Sequence, residues 1–203
     1  MRVLVPFDVR DPNTRLSSVF DTTQRREFAA RMRTDVVETI TEAGHQPELL
    51  ATHPIDVACP VHIDDRPLTE AVNAVLAKAS DPVAVVMADL ALVTPDSLAT
   101  LFEPDTEIVL APGLGGGTNA IVVRNSEFRV DYHGGSYRKH RRNAEACDGS
   151  VETVDSFRLA VDIDEPDDLV ELLLHGSGEA ASWLREAGFG LDTTGGRCEL
   201  EHS

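Results

Sequence analysis

Val83-Ala84-Val85-Val86-Met87 carries no polar side chain at any position. A short apolar run rich in valine reads as a strand buried on both faces, as in the middle of a parallel sheet. Such a sheet needs helices over both faces, and the rest of the chain supplies them. Residues 2–6 read as a first strand, followed by a polar loop over 8–15. Asp21 reads as an N-cap with Gln24 as its capping-box partner. In the helix that follows, Phe28, Met32, Val36 and Ile40 fall four apart on one stripe, and Gly44 ends it. Strands are expected at 47–52 and 61–63, and a helix at 67–79. Thr94 and Pro95 open a short helix. Two more strands, 108–112 and 120–123, flank a glycine-rich turn. Ser136 is expected to cap a helix running to about 146. Residues 151–155 and 159–163 read as strands, and 166–174 and 180–187 as helices. The order describes one domain over 1–190 and a loose polar tail over 191–203.

Composition narrows the class. No apolar run approaches the roughly 18 residues of a membrane-spanning helix, so no membrane association is expected and the expected location is cytoplasmic. The three cysteines, Cys59, Cys147 and Cys198, form no CxxC pair, which argues against a disulfide framework or structural zinc. The net charge is −17, and only Lys78 and Lys139 are lysines. An acidic, lysine-poor chain suits a salt-rich cytoplasm, because the Debye length shrinks to about 3 Å near 1 M salt and like charges hardly repel. An extreme halophile is the expected source. Nucleic acid is not an expected partner, since phosphate binding needs a basic face.

Open α/β sheets bind ligands at the carboxyl ends of their strands. Asp89 directly follows the buried run. Asp162-Ile163-Asp164 places two carboxylates two residues apart, hence on one side of an extended segment. Together the three form a hard oxygen site suited to Mg²⁺ or Mn²⁺, because clustered carboxylates are costly without a cation. Taken singly, Asp89 reads better as a turn cap and Asp164 as a helix cap. Residues 113–119, Gly113-Leu114-Gly115-Gly116-Gly117-Thr118-Asn119, form neither a P-loop nor a dinucleotide fingerprint. The glycines allow backbone N–H groups close to an anion, and Thr118 and Asn119 add donors; a plain hairpin turn explains the glycines equally well. His133-Gly134-Gly135-Ser136 leads into a helix start that favours an anion. Arg138, Lys139, Arg141 and Arg142 put four of the chain's 18 basic residues within five positions. A solvated face would use them as readily.

In order and spacing these residues resemble the 2-phospho-L-lactate guanylyltransferases, which make a GMP-linked precursor of the deazaflavin coenzyme F-420. That family is related to the molybdenum-cofactor guanylyltransferases. The resemblance covers residues 1 to about 174. It rests on Val5-Pro6, Thr14-Arg15-Leu16, Asp89-Leu90, Ala111-Pro112 with Gly117-Thr118-Asn119, Gly135-Ser136 with His140, and Asp162-Ile163-Asp164 with Pro166, Asp168 and Leu169. The chain departs from the family pattern at Asp8 and Asn13, where lysines are usual, at Ala91 for proline and at His133 for glycine.

The resemblance implies a single-domain Rossmann-like nucleotidyltransferase fold of the GT-A/MobA-like type, with a mostly parallel mixed sheet flanked by helices. It implies that Asp89, Asp162 and Asp164 are catalytic and hold the metal. Nucleotide binding falls to Pro6, Arg10, Arg15, Leu68 and Asn73. The acceptor falls to Thr118, Asn119, His133, Gly135, Ser136 and Arg138. The implied partners are GTP and 2-phospho-L-lactate, with phosphoenolpyruvate or 3-phosphoglycerate as alternative acceptors. A homodimer is expected by analogy with such folds. A nucleotide-binding regulatory module that has lost catalysis is the alternative of another class.

Overall fold

The computed structural model describes residues 1–202. The chain runs β1 (Arg2–Phe7), a 3-10 turn (Thr14–Ser18), α1 (Thr22–Glu42), β2 (Gln46–Ala51), β3 (Val61–Ile63), α2 (Leu68–Leu76), β4 (Val83–Val86) and α3 (Pro95–Phe102). It continues through β5 (Ile108–Pro112), β6 (Thr118–Val123), α4 (Ser136–Ala146), β7 (Val151–Thr153), α5 (Phe157–Ala160), α6 (Asp168–His175), α7 (Glu179–Glu186), β8 (Phe189–Asp192) and β9 (Glu199–His202).

Seven strands form one sheet in the order β3-β2-β1-β4-β6-β5-β7. β6 runs antiparallel to β4 and β5, and the other pairs are parallel. The 83–87 run is therefore central, as expected, but parallel on one side only. The physical reason is the short glycine-rich turn, which reverses the chain between β5 and β6. The pleat sorts β4 as its composition demands: Ala84 and Val86 join one core with Val36 and Ile40 of α1, and Val83 and Val85 join another with Val72 and Val75 of α2. Local signals in the sequence hold. Asp21 accepts from the Thr23 and Gln24 N–H groups, and Gln24 answers with its side chain on the Asp21 N–H at 2.9 Å. Thr94 and Ser97 form the equivalent box on α3.

A third core lies beyond the sheet's end. Phe20, Phe28 and Met32 pack there against Leu169, Leu172 and Leu184, with Trp183 at its margin. Two expectations fail here. Residues 159–163 are not a strand: one helical turn, α5, leads into an extended segment that joins no ladder. The C-terminal stretch read as a loose tail contains the β8–β9 hairpin, with Leu191 and Leu200 against the third core and the Phe189 and His202 rings stacked 4.2 Å apart. A two-stranded ribbon this polar is marginal alone and gains its stability from docking. Ser203 of that predicted tail lies outside the described residues.

Candidate active site

Strand order reverses between β1 and β4, and the crevice there encloses about 550 Å³. Pro6 and Phe7 close it from β1, Thr52 from after β2, Asp64 from after β3, Leu68 and Ala71 from α2, and Met87 to Asp89 from after β4. Such a switch point is where doubly wound sheets take nucleotides. Asp64 is held by Arg66 through both oxygens, which pulls its carboxyl down to about 2. Asp8 accepts from the Thr52 hydroxyl at 2.9 Å and from the Arg10 N–H at 3.0 Å.

Asp89 forms the floor of the acidic end. Its Oδ1 is buried without a partner. Burial, then the charge of Asp162, pushes its carboxyl up to about 7. The Asp89 carbonyl accepts the Ile163 N–H at 3.0 Å, which brings the 162–164 segment alongside. Val161 and Ile163 are buried, so the alternation leaves Asp162 and Asp164 together on the opposite side. The two-residue spacing places them without a ladder, because alternation belongs to extended backbone itself. Asp162 Oδ1 accepts from Asn119 Nδ2 at 3.0 Å. Asp164 pairs with Arg15 at 2.5 Å, yet burial dominates and lifts its carboxyl to about 6. Asp168 accepts from the N–H groups of Asp164 and Glu165 and braces the turn. Among the described residues no three acidic, histidine or cysteine groups converge as a ready-made metal cage. The donors that would serve a cation are present, with Arg15 and Asn119 on two of them.

The other side of the site is built on β6 and α4. Thr118, Asn119 and Ser136 are buried. The Ser136 hydroxyl donates to Thr118 Oγ1 at 3.3 Å, and His140 Nδ1 lies 2.9 Å from the same oxygen. The cap of α4 is Gly135, at φ 61°, not Ser136, which stands first in the helix. Glycine takes that left-handed turn without strain. The Tyr137 N–H donates to the Gly116 carbonyl at 3.3 Å and the Arg138 N–H to the Gly135 carbonyl at 3.1 Å, which leaves the Ser136 N–H and the helix dipole to face an anion.

The remaining predicted residues scatter. Arg10 is not among the cavity's lining; its carbonyl accepts from Arg26, and Arg15 faces Asp164 and Glu165 from an exposed position. The Asn73 amide faces away from the crevice, donating to the Val130 carbonyl at 3.0 Å and accepting the Val130 N–H at 2.9 Å. His133 is exposed against Asp131, and Arg138 is exposed. Asn13, where the resembled family has lysine, donates to the Ile163 carbonyl at 3.1 Å and ties the first loop to the acidic segment. Sequence reasoning missed Asp64, Arg66 and Thr52 in the crevice wall. Their only signal was position after a strand.

Comparison with known proteins gives the family and the fold type. The model of the family described as "Guanylyl transferase CofC like" matches residues 1–201. A 2-phospho-L-lactate guanylyltransferase of Halomicrobium mukohataei is 54% identical over 201 residues, covering 99% of each chain. One from Haloferax volcanii is 55% identical over 200 residues, covering 98% of this chain and 97% of its own. Among solved structures, a candidate nucleotide-diphospho-sugar transferase from Desulfovibrio desulfuricans G20 superposes with a TM-score of 0.75 at 14% identity, covering 91% of this chain and 94% of that one. A nucleotidyl transferase from Methanothermobacter gives 0.62 at 12%, covering 86% and 96%. At those identities the likeness concerns the fold, which is the mixed α/β nucleotidyltransferase type. The family match reaches from the first strand into the last, and so the chain belongs to the CofC-like guanylyl transferases.

Proposed function

We propose that this chain transfers GMP from GTP to 2-phospho-L-lactate with release of pyrophosphate, a step toward the deazaflavin coenzyme F-420. The names of its relatives support the substrate, and one structural observation supports the layout. Asn119 joins the two halves of the site: its carbonyl accepts the Met87 N–H at 3.0 Å, its amide holds Asp162, and its neighbour Thr118 belongs to the anion-suited side. A nucleotide in the β1–β4 crevice and an anion at α4 therefore meet beside Asp89.

Asp89, Asp162 and Asp164 are the residues that would hold Mg²⁺ or Mn²⁺. The fit rests on the unpartnered buried Oδ1 of Asp89 and on an all-oxygen donor set. Such an ion, when bound, supplies neutralisation of phosphate charge. The protein's own work is positioning. The acceptor's phosphate oxygen is already anionic, so in-line attack on the α-phosphorus needs no general base. This fits a site whose one buried histidine is bonded to Thr118 and the Asp131 N–H. Two unit charges 4 Å apart repel by about 4 kcal/mol at an effective dielectric of 20. The α4 start offsets that repulsion on the acceptor, Arg66 lines the crevice and Arg15 lies against Asp164.

The same reading places the enzyme in a salt-rich cytoplasm, as a homodimer, with no nucleic acid partner. Loss of the folded signal on dilution from molar salt checks the halophilic part, and full stability at low salt removes it. The activity test is pyrophosphate release from GTP in high salt with Mg²⁺, each phosphorylated acid offered separately. Release with 2-phospho-L-lactate is expected. Release only with phosphoenolpyruvate or 3-phosphoglycerate would change the substrate, and none with any acceptor would favour a regulatory module.

A further inference from the structure

His140 is fully buried and is bonded at both ring nitrogens. Nε2 lies 2.9 Å from the Asp131 backbone nitrogen, and Nδ1 lies 2.9 Å from Thr118 Oγ1. A backbone N–H can only donate, so Nε2 must be the bare nitrogen. A neutral imidazole then carries its proton on Nδ1 and donates it to Thr118. Burial holds the ring down to about 4, so it stays neutral near pH 7. The rings of Tyr132 and Phe128 meet it edgewise at 5.0 and 6.1 Å and fix its plane. Thr118 Oγ1 also receives the Ser136 hydroxyl at 3.3 Å. Both of its lone pairs are then engaged, and the one thing the hydroxyl can still do is donate its own proton.

We propose that His140 is a positioning residue for the acceptor: by donating to Thr118, it turns that hydroxyl into an obligate donor for a carboxylate or phosphate oxygen. A free threonine hydroxyl would serve donors and acceptors alike. One locked from behind selects ligand groups that only accept, which are the groups a phosphorylated acid presents. The selectivity is thus set one shell away from the ligand, through a backbone N–H that cannot reverse its polarity. The inference rests on the acceptor-site reading above.

The first test uses the unaltered protein. Long-range ¹H–¹⁵N NMR of the histidine rings is expected to show the His140 proton on Nδ1; a proton on Nε2, or a charged ring near pH 7, overturns the proposal. The second test is steady-state kinetics of two variants. In His140→Asn the amide stands near the place of Nδ1 and can still donate to Thr118. In His140→Gln it stands near the place of Nε2, keeps the Asp131 bond and loses the Thr118 bond. Expected is a rise of about tenfold in acceptor KM for His140→Gln, the size of one hydrogen bond to a charged group, with GTP KM unchanged. His140→Asn is expected to stay within about threefold of the parent. In a Thr118→Val background the two variants should become indistinguishable. Equal impairment of both, or a difference that survives Thr118→Val, sinks the relay. If Thr118→Val alone alters GTP KM and leaves acceptor KM unchanged, it is the acceptor-site reading that has failed.

Discussion

Asp35 is buried and Asp89 half-buried with its Oδ1 fully covered, and the fold treats the two aspartates in opposite ways. Asp35, on α1, accepts the N–H groups of Glu179 and Ala180 at 2.7 and 2.9 Å, so it caps α7 from a distant part of the chain. Burial raises its carboxyl, and the two backbone donors oppose the rise. Asp89 has no such donors at Oδ1, faces other carboxylates, and rises to about 7. Folding alone would have provided Asp89 with a partner or replaced it. A buried charge left uncompensated where a nucleotide crevice ends is the signature of a group kept for chemistry. A buried carboxylate with a backbone donor on each oxygen is the signature of architecture.

The comparison breaks most sharply at Asp89. Asp89→Asn should lower turnover by at least about a thousandfold, since charge stabilisation worth several kcal/mol is lost. It should leave the melting temperature unchanged or raised. The sign follows from linkage. The carboxyl titrates near 3.8 unfolded and about 7 folded, so between those values the folded state binds the extra proton. Its contribution is complete below 3.8 and lost as pH rises through 7. Melting curves of the metal-free protein should show that decline, and Asp89→Asn should flatten it.

Asp35 should behave in reverse. Asp35→Ala strands the Glu179 and the buried Ala180 N–H groups and should cost about 2 kcal/mol in denaturant unfolding, with the KM values unchanged. Gly178→Ala probes the same junction without replacing the carboxylate, because an added Cβ would stand 2.5 Å from the Asp35 carboxyl atoms and push it from its place. A kinetic defect in either would erase the distinction between the two aspartates.

Asn73, on α2 but outside the crevice lining, sharpens the comparison. It was expected to bind nucleotide, yet both ends of its amide hold the Val130 backbone. Asn73→Ala should therefore destabilise by about 1.5 kcal/mol and leave GTP KM unaltered. The smallest effect belongs to Arg31 and Glu179, an exposed pair at 2.8 Å beside the Asp35 cap. Arg31→Gln should cost less than about 0.5 kcal/mol at low salt, and nothing measurable near 1 M.

Legibility followed range. The capping boxes at Asp21 and Thr94, the 28–32–36–40 stripe and the apolar β4 run could be read because each depends on neighbours within a turn or on a simple period. Asp162 and Asp164 were correctly paired by alternation even though the strand around them was not there. The C-terminal hairpin was not legible, since its apolar residues are few and Phe189, which anchors it, packs on Phe20 from the far end of the chain. The ion pairs of Arg15 with Asp164 and Glu165 were not legible either, because a charge chooses its partner in space.

By itself the sequence determined the layered α/β class, the acidic ends of two segments and the family pattern in which they occur. These depend on periodicity, composition and order along the chain. Only the tertiary structure decided which buried polar groups are answered and which are not. It closed Asn73 on Val130 and Asp35 on α7, left Asp89 Oδ1 bare, and locked His140 between Asp131 and Thr118. Hydrogen bonding is directional and short-ranged, so its pairings exist only once distant segments have been brought within about 3 Å.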